Sequence, residues 1–373
     1  MKMKIIYIVN TRIPTRKAHG FQITKTCEVL ARSGVDVELW IPYRKNEIKE
    51  TAFEYYGLEE NFNIIEIPCF DVVRFSKHIG SIVFYLQTLL FSFYLLMRKV
   101  DKNTTIITRD LFTVFLFRLR GKSVVYNAHN WSYLKGLFSK LISKNTPIIC
   151  NSKGTQDALF NAGFKKTTVI HNGVDVEDFD DFDKSIREKL TTDDKKNIAM
   201  YVGHLYKWKG IDVVVESARI LKNNTDILFV IVGGNEEDIE IYKEKIKDLK
   251  NILFIGHVSK KEISSYMSSA NVLLLPNTKD SEESVLYTSP IKMFEYMASG
   301  VPVIASDLPS IREVLNKDNA ILIRTDDPKD MTDAILSTLV NKEVAILKAE
   351  QARKDVLGYT WNKYGEKILN FLE

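Results

Sequence analysis

The sequence predicts an α/β protein made of two Rossmann-like domains, each built on a parallel sheet. The chain has 373 residues, which is too long for one ordinary domain and suits two. Short apolar runs alternate with helical patterns in both halves, and this alternation is typical of parallel strands covered by helices. Residues 174–197 are charged and lack apolar periodicity, so we interpret them as a linker.

In the first half, six short apolar runs predict strands, with helical patterns between most of them. The predicted strands are residues 4–10, 36–41, 104–109, 123–129, 147–152 and 167–173. Clear helical patterns cover residues 21–34 and 152–163. The second half repeats this alternation, beginning with a strand and then a helix over residues 209–224. Its predicted strands are residues 197–203, 226–234, 251–256, 271–276 and 301–306.

One apolar segment, residues 79–98, is long enough to suggest a membrane-spanning helix. It contains Gln87 and lies within the strand–helix alternation, where a membrane span would split the sheet. We therefore predict a helix that is partly core and partly membrane-facing, flanked by Lys77, Arg98 and Lys99. A wholly buried core helix is the alternative.

Charge is distributed unevenly along the chain. Residues 1–170 hold 25 Lys and Arg against 13 Asp and Glu, a net +12, whereas the remainder holds 27 against 35, a net −8. A basic half attracts phosphates, whether of nucleic acid, anionic lipid or a diphosphate-linked substrate; an unevenly charged solvated surface is the plain alternative. Three unpaired cysteines and a strand that follows Met1 almost directly predict a cytoplasmic protein without a signal peptide.

The polar segments that follow the predicted strands are the candidate sites, because ligands of parallel sheets bind beyond the carboxyl ends of strands. After the first strand, Gly20 is predicted to open a helix and to permit close approach to an anion. The loop from Gly203 to Gly210 places Lys209 at a helix start, which favours phosphate. Five of the six histidines also lie at strand ends or in the first loop, but none has metal-ligand spacing.

Residues 289–315 predict a helix whose first turn is left open, which suits a nucleotide. Ser289 is predicted as the N-cap and Pro290 as the first helical residue. The amides of Ile291 and Lys292 then lack intrahelical partners and can bind a diphosphate. Glu295, one turn deeper, can accept hydrogen bonds from a ribose. The alternative is an ordinary capped helix in which Glu295 pairs with Lys292.

Several motifs together resemble one enzyme family. They are AHGFQITKTCEVLARSGVDVELW, NAHNWS, CNSKGTQDALFNAG with VIHNGVD, GHLYKWKG, NVLLLPN and EYMASGVPVIASD. The chain resembles the GT-B glycosyltransferases, specifically the retaining family 4, over nearly its whole length. The resemblance implies a GT-B fold whose two domains face a central cleft. Residues 1–175 would bind the acceptor, 176–196 would be the linker, 197–355 would bind the nucleotide sugar, and 356–373 would cross back to the first domain.

The resemblance also implies roles for individual residues. Lys209 would neutralise the donor diphosphate, Glu295 would hold the ribose, and His129 would lie beside the transferred sugar; these three are the catalytic candidates. The remaining donor-binding candidates are Gly20, Gly203, His204, Val258, Tyr287, Ser289, Ile291 and Lys292. The acceptor-side candidates are His19, Arg109, Asn127 and His129.

Two positions depart from the family pattern. His204 stands where an arginine is frequent. Tyr287 stands where the family often has the first of two glutamates, and that carboxylate usually contacts the sugar. Glu282 and Glu283 are near but have the wrong spacing unless the loop bulges.

These features predict a retaining, metal-independent glycosyltransferase of the hexosyltransferase type, with no cofactor. The expected donor is a UDP- or GDP-sugar. The expected acceptor is a glycan or a polyprenyl-diphosphate-linked glycan in the assembly of lipopolysaccharide, capsule or another glycoconjugate. A peripheral position on the anionic inner face of the cell membrane is a further expectation. The alternatives are a GT-B sugar-nucleotide epimerase and a non-catalytic subunit of a polysaccharide-assembly complex; a nucleic-acid partner is not expected, because no recognition motif is found.

Overall fold

The structure is a computed structural model that describes residues 3–73, 82–131, 136, 139–193 and 195–373. It divides into two compact units. The first unit combines Met1–His171 with Trp361–Glu373, and the second is Asn172–Thr360.

The first unit is built on a seven-stranded parallel sheet with the order β3-β2-β1-β4-β5-β6-β7. Its strands are β1 Lys4–Ile8, β2 Asp36–Pro42, β3 Asn63–Ile67, β4 Thr104–Thr108, β5 Ser123–Ala128, β6 Ile148–Cys150 and β7 Thr167–Val169. The second unit has a six-stranded parallel sheet with the order β10-β9-β8-β11-β12-β13. Its strands are β8 Asn197–Val202, β9 Ile227–Val232, β10 Ile252–Gly256, β11 Val272–Leu275, β12 Val303–Ser306 and β13 Ile321–Ile323.

Helices connect these strands, as parallel sheets require. In chain order they are α1 Ala18–Arg32, α2 Ala52–Tyr56, α3 Ile82–Leu96, α4 Leu111–Leu119, α5 Lys153–Asn161, α6 Ser185–Leu190, α7 Ile211–Ile220, α8 Glu236–Lys245, α9 Lys260–Ser268, α10 Ile291–Ala298, α11 Pro309–Arg312, α12 Pro328–Val340, α13 Lys342–Asp355 and α14 Trp361–Leu372.

Both faces of the second sheet are buried. Alternate residues of a strand point to opposite faces, and in β8 Ile198 and Met200 pack in one hydrophobic cluster while Ala199 and Tyr201 pack in another. This explains why the strands of this unit read as continuous apolar runs rather than as alternating patterns.

Residues 176–196 are not a linker where the structure describes them, so that prediction is wrong. A 3₁₀ turn at Val176–Phe179 and helix α6 pack on the core of the second unit. Four apolar side chains spaced through the charged stretch are buried there, namely Val176, Phe179, Ile186 and Leu190. The change between units falls earlier, after His171.

The C-terminal segment changes unit at residue 361 rather than at 356. A 3₁₀ turn at Val356–Tyr359 still belongs to the second unit, and α14 belongs to the first. Helix α14 packs on α1, where the Gln22 Nε2 atom donates to the Tyr364 hydroxyl at 2.9 Å and the rings of Phe21 and Trp361 meet edge to face.

Helix α3 falls within the apolar segment of residues 79–98, of which residues 79–81 lie outside the described residues. Phe91 and Leu95 are buried in the core, and the buried Gln87 accepts a hydrogen bond from the Val72 amide at 2.8 Å. The opposite side of the segment carries an exposed apolar face made of Leu86, Leu89, Phe93, Leu96 and Met97. The alternative of a wholly buried core helix is therefore wrong. Among the described residues, we find no helix with the length and apolar character needed to cross a membrane.

Candidate functional site

Each sheet has a point at which the strand order reverses. In the first unit, β1 lies between β2 and β4, and in the second unit β8 lies between β9 and β11. Parallel sheets of this kind bind ligands at such switch points, outside the carboxyl ends of the strands. The two switch points are therefore the candidate sites, and most of the residues predicted from the sequence follow the strands that form them.

In the second unit, the loop after β8 is fastened to the segment after β11. The Trp208 carbonyl accepts hydrogen bonds from the Thr278 amide at 3.1 Å and from the Ser284 hydroxyl at 3.4 Å. Gly210 has a φ of 79°, and a Cβ atom there would lie 1.8 Å from the Pro276 carbonyl oxygen. Only glycine allows this approach, so the loop holds a fixed position above the sheet.

Lys209 ends the 3₁₀ turn of this loop and is half-buried. Its Nζ atom lies 4.1 Å from the centroid of the Trp208 ring, a cation–π contact. Burial lowers the pKa of Lys209 to about 8, and the charge of Glu283 acts in the opposite direction. The ammonium group is thus charged at neutral pH but poorly solvated, which favours a bound anion.

Glu283 begins a π-helical turn, Glu283–Tyr287. Glu283 is the carboxylate whose charge acts on Lys209. Its proximity to Lys209 was not predicted, because only the fold brings the two segments together. Tyr287 ends the turn and is buried, which raises the pKa of its hydroxyl.

Helix α10 begins at Ile291, and no side chain in the described part of the chain caps it. The prediction of Ser289 as N-cap is wrong: Pro290 occupies that position. Ser289 is instead hydrogen-bonded to Asn172. The backbone N–H of Asn172 donates to the Ser289 hydroxyl at 3.3 Å, and its side-chain Nδ2 atom donates to the Ser289 carbonyl at 2.5 Å. The amides of Ile291 and Lys292 precede the first intrahelical bond, as predicted from the helix geometry.

Helix α10 is tied directly to the end of β8. The Val202 amide donates to the hydroxyl of the buried Tyr296 at 2.8 Å. Val202 immediately precedes the loop that carries Lys209, so helix α10 and this loop are both anchored near the carboxyl end of β8.

Glu295 is buried beside Lys292, and its Oε2 atom lies 2.5 Å from the Lys292 Nζ atom. This is the pairing expected of an ordinary helix. A ribose at this position would have to share the carboxylate with the lysine or replace it.

Three other donor-binding candidates follow strands of the second sheet: Gly203 and His204 follow β8, and Val258 follows β10. A Cβ atom at Gly203 would meet the Tyr201 hydroxyl at 3.0 Å. His204 stacks on Tyr206, with ring centroids 5.1 Å apart. Val258 is half-buried after β10, two strands away from β8, and packs on the core.

In the first unit, Arg109 and Asn127 converge on Tyr7. The Arg109 Nε and Asn127 Nδ2 atoms each donate to the Tyr7 hydroxyl at 2.9 Å. Tyr7 is fully buried, which raises its pKa to about 12. The hydroxyl therefore stays neutral and positions both side chains.

The two histidines on the acceptor side make separate contacts. The His19 Nε2 atom lies 3.0 Å from the Thr11 hydroxyl, and the His129 carbonyl accepts a hydrogen bond from the Asn151 Nδ2 atom at 3.2 Å.

Gly20 is the third residue of α1 rather than the residue that opens it. A Cβ atom there would lie 2.2 Å from the Tyr56 hydroxyl and 2.5 Å from the Thr15 methyl carbon. The Tyr56 hydroxyl is held between the Thr15 amide and carbonyl, at 2.7 and 2.8 Å. The close packing of Tyr56 is thus enough to explain why residue 20 is a glycine. A phosphate contact at Gly20 stays a prediction.

No group of three His, Cys, Asp or Glu side chains suited to a metal ion occurs within the described ranges.

Comparison with known proteins gives matches in both halves of the chain. Residues 182–355 match the family model described as glycosyl transferases group 1, and residues 21–178 match that described as glycosyltransferase family 4. The Anabaena protein HepE, solved in complex with UDP, is similar over 99% of both chains with a TM-score of 0.76 and 15% identity.

Curated relatives match more partially. A glycosyltransferase of Methanocaldococcus jannaschii is 24% identical over 61% of this chain and 59% of its own length. An N-acetylgalactosaminyltransferase of Campylobacter jejuni, named for the acceptor N,N'-diacetylbacillosaminyl-diphospho-undecaprenol, is 23% identical over 48% of this chain and 45% of its own length. In both cases less than two thirds of the relative is covered. The chain has the GT-B fold, and the matches together support a GT-B glycosyltransferase.

Proposed function

Because both halves of this GT-B chain match glycosyltransferase family models, we propose that it transfers a sugar from a nucleotide-diphosphate sugar to a glycan or lipid-linked acceptor. The observation that carries the proposal is the site at the end of β8. There the half-buried Lys209 and the uncapped mouth of α10 offer a positive charge and backbone amides to one anion.

The diphosphate of the donor binds the α10 amides and Lys209 in this proposal. When the bond between the anomeric carbon and the diphosphate oxygen breaks, the electron pair stays on the diphosphate, whose charge rises. Lys209 stabilises that charge in the transition state and takes the place of a divalent cation. Glu295 holds the ribose hydroxyls, whose charge does not change.

Retention of configuration follows from attack on the same face of the sugar in this mechanism. The oxygen of the acceptor hydroxyl forms the new bond, and its proton passes to the departing diphosphate. No enzyme nucleophile is needed, which agrees with the absence of a carboxylate among the acceptor-side candidates His19, Arg109, Asn127 and His129.

The decisive experiment is a binding and turnover screen of the purified protein against UDP-, GDP- and TDP-sugars, with a metal chelator present. Hydrolysis or transfer of one donor class under these conditions supports the proposal. Conversion of a donor into its epimer would identify the epimerase instead, and binding without turnover for any donor and acceptor would identify a non-catalytic subunit. Activity that appears only after a divalent cation is added would refute metal independence.

We also propose that the first unit binds an anionic membrane surface through α3. The exposed apolar face of the segment includes Phe93 and Met97, which are 61% and 71% exposed. Arg98 and Lys99 follow it directly and are exposed as well. Apolar side chains that enter the interface and basic groups that meet lipid phosphates are the two components of peripheral binding.

Flotation with liposomes tests this surface. The protein is expected to float with anionic liposomes at low salt, less so at high salt because the charges are screened, and less so after Phe93→Ser. Leu347→Ser, which changes an exposed apolar residue of the second unit, serves as the matched control. Protein that stays wholly in the soluble fraction would contradict the proposal.

A further inference from the structure

Three arginines follow the carboxyl ends of three neighbouring strands in the first unit. Arg44 follows β2, Arg12 follows β1 and Arg109 follows β4. The strands are adjacent in the order β2-β1-β4, and the last residue of β1 is in register with Trp40 and Thr108. The arginine triad (Arg12, Arg44 and Arg109) thus lies along one edge of the sheet, at its switch point.

The guanidinium groups are only partly used by the protein. Arg109 donates to the Tyr7 hydroxyl, and the Arg44 Nη2 atom donates to the Asn10 Oδ1 atom at 2.6 Å. Yet the Arg12 Nε, Arg44 Nε and Arg109 Nη2 atoms are buried and have no hydrogen-bond acceptor among the described residues. Buried polar groups are nearly always satisfied, so three such N–H groups at one edge indicate a missing acceptor.

The charge of the triad is poorly compensated. Within the described residues, the carboxylate of Asp71 is the one within salt-bridge distance of a triad member, 3.9 Å from the Arg44 Nε atom. Burial lowers the pKa of Arg44, and the charge of Arg12 adds to this effect. Because the charge of Arg12 acts on Arg44, these two arginines lie close together, and an anion between them would relieve the repulsion.

We propose that the arginine triad binds the phosphate or diphosphate group of the acceptor. Planar guanidinium groups donate two parallel N–H bonds to phosphate oxygens, and their charge is permanent, which suits an anion that keeps its charge through the reaction. The identification of that anion as part of an acceptor rests on the proposed glycosyltransferase function, whereas the anion site itself rests on the triad alone.

The test measures binding to the full chain in the presence of UDP, GDP and TDP together at high concentration, so that the proposed donor site is filled. Farnesyl diphosphate and inorganic diphosphate are titrated separately by calorimetry. Farnesyl diphosphate is expected to bind, and Arg12→Gln is expected to weaken it roughly tenfold or more, as for loss of a charged hydrogen bond. Arg118→Gln, which removes the same charge from an exposed position of α4, should bind as the wild type does.

Arg44→Lys provides a second variant in case a neutral substitution disturbs folding. It keeps the charge but loses the forked geometry, so binding should weaken less than in Arg12→Gln. If both variants melt at the wild-type temperature and bind farnesyl diphosphate with wild-type affinity, the triad is not an anion site. If inorganic diphosphate binds as tightly as farnesyl diphosphate, the site takes a free anion and the acceptor assignment is wrong. Failure of the wild type to bind any nucleotide sugar would refute the proposed function, while the diphosphate titration would still decide the role of the triad.

Discussion

At the switch point of the first sheet, the chain presents Arg12, Arg44 and Arg109, whereas at the switch point of the second it presents Lys209 and an uncapped helix. The two points have the same strand topology. They differ in the cationic side chains that follow the strands, which are arginines in the first unit and a lysine in the second. Arginine never loses its proton in a protein, but the pKa of a buried lysine shifts readily.

That difference suggests two kinds of anion. Burial lowers the pKa of Lys209 to about 8, because its ammonium group is poorly solvated. The attraction between this ammonium group and an adjacent oxygen therefore strengthens most when the oxygen becomes more negative. The permanently charged triad suits a group that does not react. On this view the second switch point performs the chemistry and the first holds the acceptor.

The largest expected effect comes from removing the reactive charge. Lys209→Ala should lower kcat roughly a hundredfold or more, as for loss of one preorganised electrostatic group, with a smaller change in KM for the donor. Steady-state kinetics with the donor identified in the screen measures both constants. Lys207→Ala, an exposed lysine of the same turn, is the control. Normal turnover by a folded Lys209→Ala variant would remove the distinction between the two switch points.

Glu295 sharpens the comparison, because in the proposed mechanism it binds the ribose, whose charge does not change. Glu295→Gln should weaken donor binding by about 1–3 kcal/mol, the range for unsatisfied buried hydrogen-bond partners, and should lower kcat less. Glu343→Gln, an exposed carboxylate of α13, controls for the loss of charge. Unchanged donor affinity would mean that Glu295 serves only to pair with Lys292.

The pH dependence separates lysine from arginine directly. In the proposed site the ammonium form of Lys209 attracts the diphosphate, so donor affinity should be highest below pH 8 and should decline above it, by no more than this charge contributes to binding. Lys209→Arg should bind donor with no such decline. Calorimetry measures donor affinity of both proteins between pH 7 and 9.5. If affinity also declines in Lys209→Arg, the pH dependence comes from a group other than Lys209.

The same pKa has the opposite consequence for the stability of the ligand-free protein. Between pH 8 and the ordinary value of 10.5, the unfolded chain binds the proton of Lys209 more tightly than the folded chain does. The contribution of this residue to the free energy of unfolding therefore rises with pH over that range.

The smallest expected effect concerns the choice of donor sugar. Tyr287 offers a buried ring and one hydroxyl where the family often has a carboxylate, so a deoxy or N-acetylated sugar should be preferred over a plain hexose by roughly three- to tenfold in kcat/KM. Competition between such donors carrying the same nucleotide measures this ratio. A clear preference for plain UDP- or GDP-hexose would contradict it.

Local patterns predicted all the interior strands, but only two of the four edge strands. The edge strands β7 and β10 were recognised, whereas β3 and β13 were not. The two missed strands are short and partly exposed, so their apolar pattern is weak. For the same reason the charged surface of residues 176–196 concealed the four side chains that fix it to the core.

The site was predictable where it depends on a single element and not where it depends on a long-range contact. The position of Lys209 just before a helix and the first-turn amides of α10 that lack intrahelical partners follow from local sequence. The failed N-cap at Ser289 depends on Asn172, 117 positions away, and the effect of Glu283 on Lys209 depends on a π-helical turn. Two members of the arginine triad, Arg12 and Arg44, were missed although each follows a predicted strand, because an isolated arginine at a strand end carries no motif.

The return of the chain to the first unit at α14 has a consequence for biosynthesis. Phe21 of α1 meets Trp361, and a Cβ atom at Gly365 would lie 3.1 Å from a Val29 methyl group, so the last helix covers an apolar side of a helix made more than 300 residues earlier. During translation the first unit emerges early from the ribosome, but this side of α1 stays uncovered until α14 has been synthesised and released. The second unit, which is continuous in sequence, can finish folding first, so the order of completion is the reverse of the order of synthesis.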